Sequence, residues 1–575
     1  MIHLVRPISM LTALVLLAAI MLGHAGHTSG AEQPAQNIGK LSLETPPATD
    51  PDLVQIGFHD LGGGGFNGDI WLHGDFVYVG AFWTGSGACP ALEVKVVDVS
   101  DPFNPTPANT LSLSTGSRAN DVKVAAVSTG SFQGDLLVNS NEVCAGGGSH
   151  GVQLWDVTDP RNAVELSYFH TGSVHNTYLY QKGDRAYVLL AVPFAELSGT
   201  SSDLQIIDVT DPANPVLAGE WTVGRDAGLA YGFPGASGAG DCTPPPNTLD
   251  LCRGDSALVY LHDVWVSSDG TIAYLSYWDA GLITLDISDP TSPTLIAVAT
   301  EPLDEEGNAH NAVPDETAGL ILVADEDFAP APWGFLRILD NTNPSNPVQV
   351  GTFATPNALA ATPPNDGWYT VHNLIVEGGL AYLAWYSDGV RVLDLADPTT
   401  PREIASFVPP DVADPHGQLP ARSLVWGVSL QDGIIYAIDI NGGLYVLAFD
   451  SDWDGCADVQ ELGSNAALGG QRDPLNFWDF VDQWVGVPPE KNGTVTVGDM
   501  GAVVARFGTF QDPILTEKEA LAEALTPPVA VTGYHASADR SGSAGPDPWD
   551  LLPPNGTITV GDLGVVVAQF GHTCA

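Results

Sequence analysis

Basic side chains are scarce. Lys and Arg number 19 against 69 Asp and Glu, a formal net charge of −50. Nucleic acid requires a basic footprint, so this balance excludes it as a partner. The same balance argues against anionic membrane surfaces and leaves divalent cations, a salty medium or plain solvation as its meaning. Long apolar runs are also lacking. The one candidate, Ile8 to Leu22, follows Arg6 and leads into Ser29-Gly30-Ala31, which has small residues where a cleavage site needs them; cleavage after Ala25 is the alternative. Residues 1–31 therefore read as a signal peptide, too short and wrongly flanked for a permanent membrane helix. No later stretch qualifies, so the mature chain is expected to be soluble and either secreted or held at the cell surface, with no membrane span.

Several catalytic signatures are missing too. There is no H-E-x-x-H, and the glycines from Gly62 to Gly65 carry no P-loop Lys. Gly147-Gly148-Ser149-His150-Gly151 matches G-x-S-x-G, but a Cys/Gly loop precedes it and a strand pattern follows, the reverse of the context that motif needs. Cysteines number six, which fits an oxidising compartment. Cys242 and Cys252 flank a Pro-rich insert, Cys89 and Cys144 lie before the third strand of adjacent repeats, and Cys456 with Cys574 remain as a pair; spacing alone leaves the connectivity open.

What is present is a phrase repeated six times: an apolar strand, an Asp, a turn, then Asp-Pro or Asn-Pro. Its copies are VKVVDVSDP (Asp98, Asp101), VQLWDVTDP (Asp156, Asp159), LQIIDVTDP (Asp208, Asp211), LITLDISDP (Asp286, Asp289), LRILDNTNP (Asp340, Asn343) and VRVLDLADP (Asp394, Asp397). From one first Asp to the next the steps are 58, 52, 78, 54 and 54 residues. The long step is one period plus an insert between Gly224 and Tyr260. One further period reaches Ala448 in GGLYVLAFD, a terminal copy without the Asp-Pro turn, as repeat ends often are. Within a copy, Asp-Gly and Gly-Gly pairs separate short β-branched and aromatic runs, which are hairpin signals. Each copy thus reads as a four-stranded antiparallel meander, one propeller blade. Seven copies begin near Phe66, Asn120, His175, His262, His310, His372 and Trp426, and LVQIGF (53–58) is placed to supply the last blade's missing strand. The repeated Asp is expected to accept hydrogen bonds from turn amides while Pro presets the next backbone angle. The phrase resembles the LVIVD repeat of secreted bacterial and archaeal β-propellers. That resemblance implies a propeller over residues 53–449 and names no reaction, since the family has no single assigned activity.

After Phe449 the pattern changes. DSDWDGCADVQE matches an EF-hand calcium loop position by position: Asp450, Asp452 and Asp454 at one, three and five, Gly455 at six, a Cys456 carbonyl at seven, Asp458 at nine and Glu461 at twelve. The segments from Asn492 and Asn555 repeat each other (NGTVTVGDMGAVVARFGT and NGTITVGDLGVVVAQFGHT) and resemble the second half of a dockerin calcium loop with its helix. On that alignment Asn492 and Asn555 hold position five, and Asp499 and Asp562 position twelve. Positions one and three depart from the pattern, with Pro488 and Glu490 in one copy and Leu551 and Pro553 in the other, which weakens the case for calcium there. The resemblance implies a cohesin-like docking partner. A further short helix is expected over 518–525.

Four copies open with His followed by Asn or Asp: His175, His262, His310 and His372. The first strand of a blade lines the central channel, so these imidazoles should gather at one end of it. Neutral His suits copper, zinc or iron, and Asp325, Glu326 and Asp327 are placed to add oxygens. The bland alternative is that each His bonds to the backbone of the next blade and holds the ring together. The expected organisation is a signal peptide (1–31), a linker (32–52), a mainly β seven-bladed propeller (53–449), an EF-hand-like calcium loop (450–465) and an α-containing dockerin-like pair (466–575). The leading reading of function is a non-enzymatic exported scaffold that binds a protein or polysaccharide. The competing reading is a metal-dependent oxidoreductase or hydrolase at the channel histidines.

Overall fold

The computed structural model describes residues 41–42, 51–83, 90–144, 149–227, 259–300, 307–328, 332–486, 488–543, 549 and 551–574. The expected signal peptide, Cys89 and the insert cysteines Cys242 and Cys252 lie outside these residues. Two compact units divide the chain, one running from Gly57 to Gln431 with Tyr436–Tyr445, the other from Val446 onward with the short pieces 51–56 and 432–435.

Seven sheets of four or five strands follow one another along the chain. Blade 1 runs Asn67–His73, Phe76–Ala81, Glu93–Asp98 and Thr106–Ser112; blade 3 runs Thr177–Lys182, Arg185–Ala191, Leu204–Asp208 and Val216–Trp221. Blades 4 and 6 are equally regular four-stranded antiparallel meanders. In blade 2 the innermost strand is split into Ser117–Arg118 and Val122–Ser128. Blade 7 takes its fourth strand, Asp52–His59, from the N-terminal end. One departure from expectation lies in the linker, where Leu41–Ser42 pairs in parallel with Thr352–Phe353 of blade 5; the outer strand there has open backbone groups that accept an added strand.

The repeated phrase forms the third strand of each blade and the turn after it. Its first Asp accepts the amide two residues on in all six copies, from Asp98 to Ser100 at 2.9 Å through Asp394 to Ala396 at 2.9 Å. Just before that Asp, pairing with the outer strand slips register in all six. The turn also reaches the preceding blade. The Pro290 carbonyl lies where a Cβ on Gly219 would be only 2.1 Å away, and Pro398 stands the same way to Gly351 at 2.0 Å. Elsewhere a side chain donates to the same carbonyl, Asn109 to Pro160 at 3.1 Å and Ser167 to Pro212 at 2.6 Å. Apolar side chains fill the spaces between blades: Leu189, Ile206 and Trp221 of blade 3 meet Leu275 and Ile283 of blade 4 in one cluster.

The second unit has its own core, formed by Phe477, Trp478, Phe480, Val481, Val495, Val503, Ile558, Val566 and the Cys456–Cys574 disulfide. Its helices are α1 (Asp458–Glu461), α2 (Val497–Val504), α3 (Glu517–Ala524) and α4 (Val560–Ala568). The sequence repeat is a structural one. Thr494 bridges Thr573 while Thr557 bridges Phe510, so each copy pairs with the far end of the other.

Candidate functional site

Among the described residues, side chains of the types that ligate metals gather in two places, one in each unit. In the propeller, His175, His262, His310 and His372 sit at the start of the innermost strands of blades 3 to 6, and each is at most 4% exposed. Main-chain bonds to the neighbouring strand fix three of them: His175 N to Ala191 O, His262 N to Ser276 O and His372 N to Ala384 O, each 2.8–2.9 Å. The rings follow one another in contact, with centroids 4.3, 4.1 and 4.0 Å apart and Trp426 of blade 7 next at 4.3 Å. The histidines do gather, as the repeat implies. They also bond across blades: Nδ1 of His262 faces the His310 carbonyl at 3.3 Å, and Nδ1 of His372 faces the Trp426 carbonyl at 2.5 Å.

Sequence reasoning placed four histidines together, with Asp325, Glu326 and Asp327 to add oxygens; three of the four do not share one ion's reach. Instead His262, His310 and Glu326 offer ligand atoms that all lie within 4.8 Å of one another. Glu326 follows strand Leu320–Asp325 of blade 5; its oxygens stand 3.5 Å from His310 Nε2 and 3.8 Å from His372 Nε2. Asp325 turns instead to Arg337. Burial, then the neighbouring imidazoles, holds His262 and His310 well below the usual histidine range. Burial pushes His372 down to about 3 and Glu326 up to about 8. On its own, then, the cluster favours neutral groups at neutral pH. Glu142, which spacing gave no reason to select, meets His175 Nδ1 at 3.2 Å and Arg118 at 2.7 Å; against its burial, Arg118 and then His175 pull it down to about 2.

The residues after the histidines form a belt of their own. Asn311 donates to Asp263 at 2.6 Å, Asn373 to Asp69 at 3.0 Å, and Thr177 donates to Asp121 through both its amide and hydroxyl at 2.7 Å. Lys123 pairs with Asp69 and Asp121. Burial alone would lower this amine, but Asp121, Asp69 and Asp263 together raise it. The belt ties blades to one another and accounts for the Asn and Asp of the His-Asn and His-Asp pairs.

In the second unit, Asp452, Asp454 and Glu461 meet Asp479 with ligand oxygens within 4.8 Å of one another. Glu461 is fully buried and neither of its oxygens finds a hydrogen-bond partner; one oxygen each of Asp452 and Asp454 is in the same state. Burial first, then mutual repulsion, raises Asp452 to about 8 and Glu461 to about 11. Asp450 shapes the loop by accepting the Trp453 and Gly455 amides at 2.7 and 2.9 Å, with Gly455 at φ +98°. Asp458 is engaged with the Ser451 amide and hydroxyl and stands apart from the cluster. The Cys456 sulfur belongs to the disulfide with Cys574, so only its carbonyl remains for a cation. Asp479 comes from outside the twelve-residue loop, where position counting does not look. Cys144 is also in a disulfide; Cys89, at the equivalent place in the preceding repeat, lies outside the described residues.

In the two repeat copies, Asp499 and Asp562 are helix caps. Asp499 accepts the Thr496 amide and hydroxyl at 2.6 and 2.7 Å and the Gln483 amide at 2.7 Å; Asp562 repeats this with Thr559 and Arg540. Asn492 and Asn555 each accept the amide two residues on, at 3.0 Å. The Asn-Gly amides are held by Asp482 in one copy and Asp539 in the other. These two Asp residues lie 10 and 16 positions before their Asn, and that unequal spacing hid them.

Seven blades around buried axial histidines define the first unit as a seven-bladed β-propeller. Four segments, residues 64–110, 199–223, 260–300 and 370–408, match the LVIVD repeat. The first unit is thus a β-propeller that carries LVIVD repeats over these segments. No curated protein matches it. Among solved structures, the crystal structure of the computationally designed Ika8 protein is similar with a TM-score of 0.37 at 9% identity, covering 69% of this chain and 99% of that one.

Proposed function

We propose that this is an exported binding and scaffold protein, whose propeller presents the ligand surface and whose calcium-stabilised C-terminal module docks onto a partner protein. The observation that carries this reading is an apolar stripe repeated on two equivalent helices. Val497, Val504 and Phe507, on and just after α2, are 73%, 48% and 40% exposed; Val560, Val567 and Phe570, on and after α4, are 77%, 54% and 55% exposed. Each residue of the second set lies 63 positions after its counterpart. Apolar side chains left outside a core in matched positions mark an interaction face, and the cohesin-like partner that the dockerin resemblance implies would cover it. Calcium fits Asp452, Asp454, Glu461 and Asp479 because it takes six to eight oxygens from carboxylates and carbonyls. On the propeller, a hollow of about 370 Å³ is lined by Tyr178, Trp265, Ser268, Pro314 and Glu316. Flat rings beside a carboxylate suit a polysaccharide as well as a peptide.

The test uses the full mature chain and the envelope fraction of the producing cells. Expected is binding that needs calcium and is lost in a Val504→Asp/Val567→Asp variant that still binds calcium. Binding indifferent to both changes, or none at all, overturns the docking reading. A second reading, a metal-dependent oxidoreductase or hydrolase at the channel, is favoured by the grouping of His262, His310 and Glu326.

A further inference from the structure

We propose that the propeller channel holds one divalent first-row transition-metal ion, ligated by His262, His310 and Glu326 and flanked by His175 and His372. This centre belongs to the propeller and is independent of the docking module. The three ligands are 4%, 2% and 1% exposed, and their ligand atoms lie within 4.8 Å of one another, within reach of one ion. Two imidazoles and one carboxylate suit such an ion, whereas calcium and magnesium ask for oxygen alone.

Ring orientation supports the same conclusion. A carbonyl oxygen can only accept, so Nδ1 of His262, facing the His310 carbonyl at 3.3 Å, carries the proton. Its Nε2 is then a lone pair, which is how metal-binding histidines are usually held. His372 is set in the same tautomer by the Trp426 carbonyl; His175 Nδ1 stands 3.2 Å from the Glu142 carboxylate. Nε2 of His175 and Nε2 of His262 confront each other at 3.0 Å. The Asn120 amide also reaches His175 Nε2, at 3.3 Å, so the Nε2 lone pair open to an ion is that of His262. Glu142 is already matched by Arg118, which leaves Glu326 as the carboxylate for the ion.

The walls are aromatic and strained. Trp278 has φ +36° and its ring is 5.1 Å from His262; Tyr386 has φ +34°, its ring is 4.9 Å from His372, and its hydroxyl donates to Glu326 at 2.5 Å. Positive φ is uncommon for bulky residues and persists where the surroundings over-determine it, often at functional sites.

Cobalt(II) is the probe. The full-length protein, stripped with chelator and returned to millimolar calcium, is loaded with cobalt, desalted, and read by elemental analysis, visible absorption and X-ray absorption. Expected is one cobalt per chain with imidazole scattering from two histidines. Affinity should fall more than tenfold in Glu326→Gln and in His310→Ala, and be unchanged in the calcium-loop variant Glu461→Gln. Failure to retain cobalt, or an all-oxygen first shell in the unmodified protein, overturns the proposal without reference to any variant. Equal retention by a folded His262→Ala/His310→Ala variant does so as well.

Discussion

Removing the Cys456–Cys574 disulfide tests how the second unit is held together. The bond joins residues 118 apart in sequence. By the chain-entropy relation, releasing a loop of that size restores about 16 cal/mol/K to the unfolded chain, or about 5 kcal/mol at 25 °C. Both cysteines are buried, and Gly469 packs so closely that an added Cβ would lie 2.5 and 2.7 Å from the two sulfurs. Replacing both by Ala therefore also loosens packing at the foot of the Asp450–Glu461 loop. Domains are typically stable by about 5–15 kcal/mol, so the loss should bring this unit close to unfolding while the propeller keeps its stability. Native-state hydrogen exchange read by peptide separates the two. In the Cys456→Ala/Cys574→Ala variant at fixed calcium, the amides of Val495, Ile558 and Cys574, all hydrogen-bonded across the module, should lose most of their protection. Propeller amides such as those of Ile283 and Leu285, on the third strand of blade 4, should be unmoved. A change under about 1 kcal/mol in the module, or an equal change in both units, would refute the entropic reasoning.

Other expectations follow from single positions. Gly219→Ala places a Cβ 2.1 Å from the Pro290 carbonyl; forced backbone movement should cost about 1–3 kcal/mol, read as a lower denaturant midpoint, whereas Ala at exposed Gly183, with nothing within 4 Å but φ +61°, should show a smaller loss. Burial raises Asp203 to about 7, so the folded state keeps a proton that the unfolded chain releases above about pH 4. Its contribution is then fully present below pH 4 and lost as pH rises toward 7; Asp203→Asn should flatten that slope in urea midpoints, and parallel slopes would sink the idea. Calcium at a thousand times its dissociation constant should stabilise the second unit by about 4 kcal/mol, and Glu461→Gln should abolish that gain in thermal scans; a gain that survives would move the ion elsewhere.

The blade order was legible because the phrase recurs at a fixed step and each copy makes the same local turn, from Asp98 to Asp394. The histidines were legible because a propeller sends equivalent strand starts to one axis. Glu326 as a partner, and Glu142 with Arg118 behind His175, were harder to see, because they come from other strands and converge only when the ring closes. In the second unit the loop aspartates fell at EF-hand positions, but Asp458 went to Ser451 and its place in the cluster was taken by Asp479, eighteen residues after Glu461. Local spacing describes what one turn can hold; side chains brought in by tertiary packing leave no such regular mark.

Blade 7 is completed by the strand Asp52–His59, whose Phe58 stacks beside Tyr445 at 4.8 Å. That strand is made first and its partner, Gly443–Asp450, last, with 383 residues between His59 and Gly443. At synthesis rates of roughly 5–20 residues per second, it waits about 20–80 s with its edge unsatisfied. Closure is therefore the contact that waits longest on synthesis, and an incomplete ring would offer that waiting edge to another chain. Shielding the N-terminal strand until the last blade arrives becomes part of making this protein.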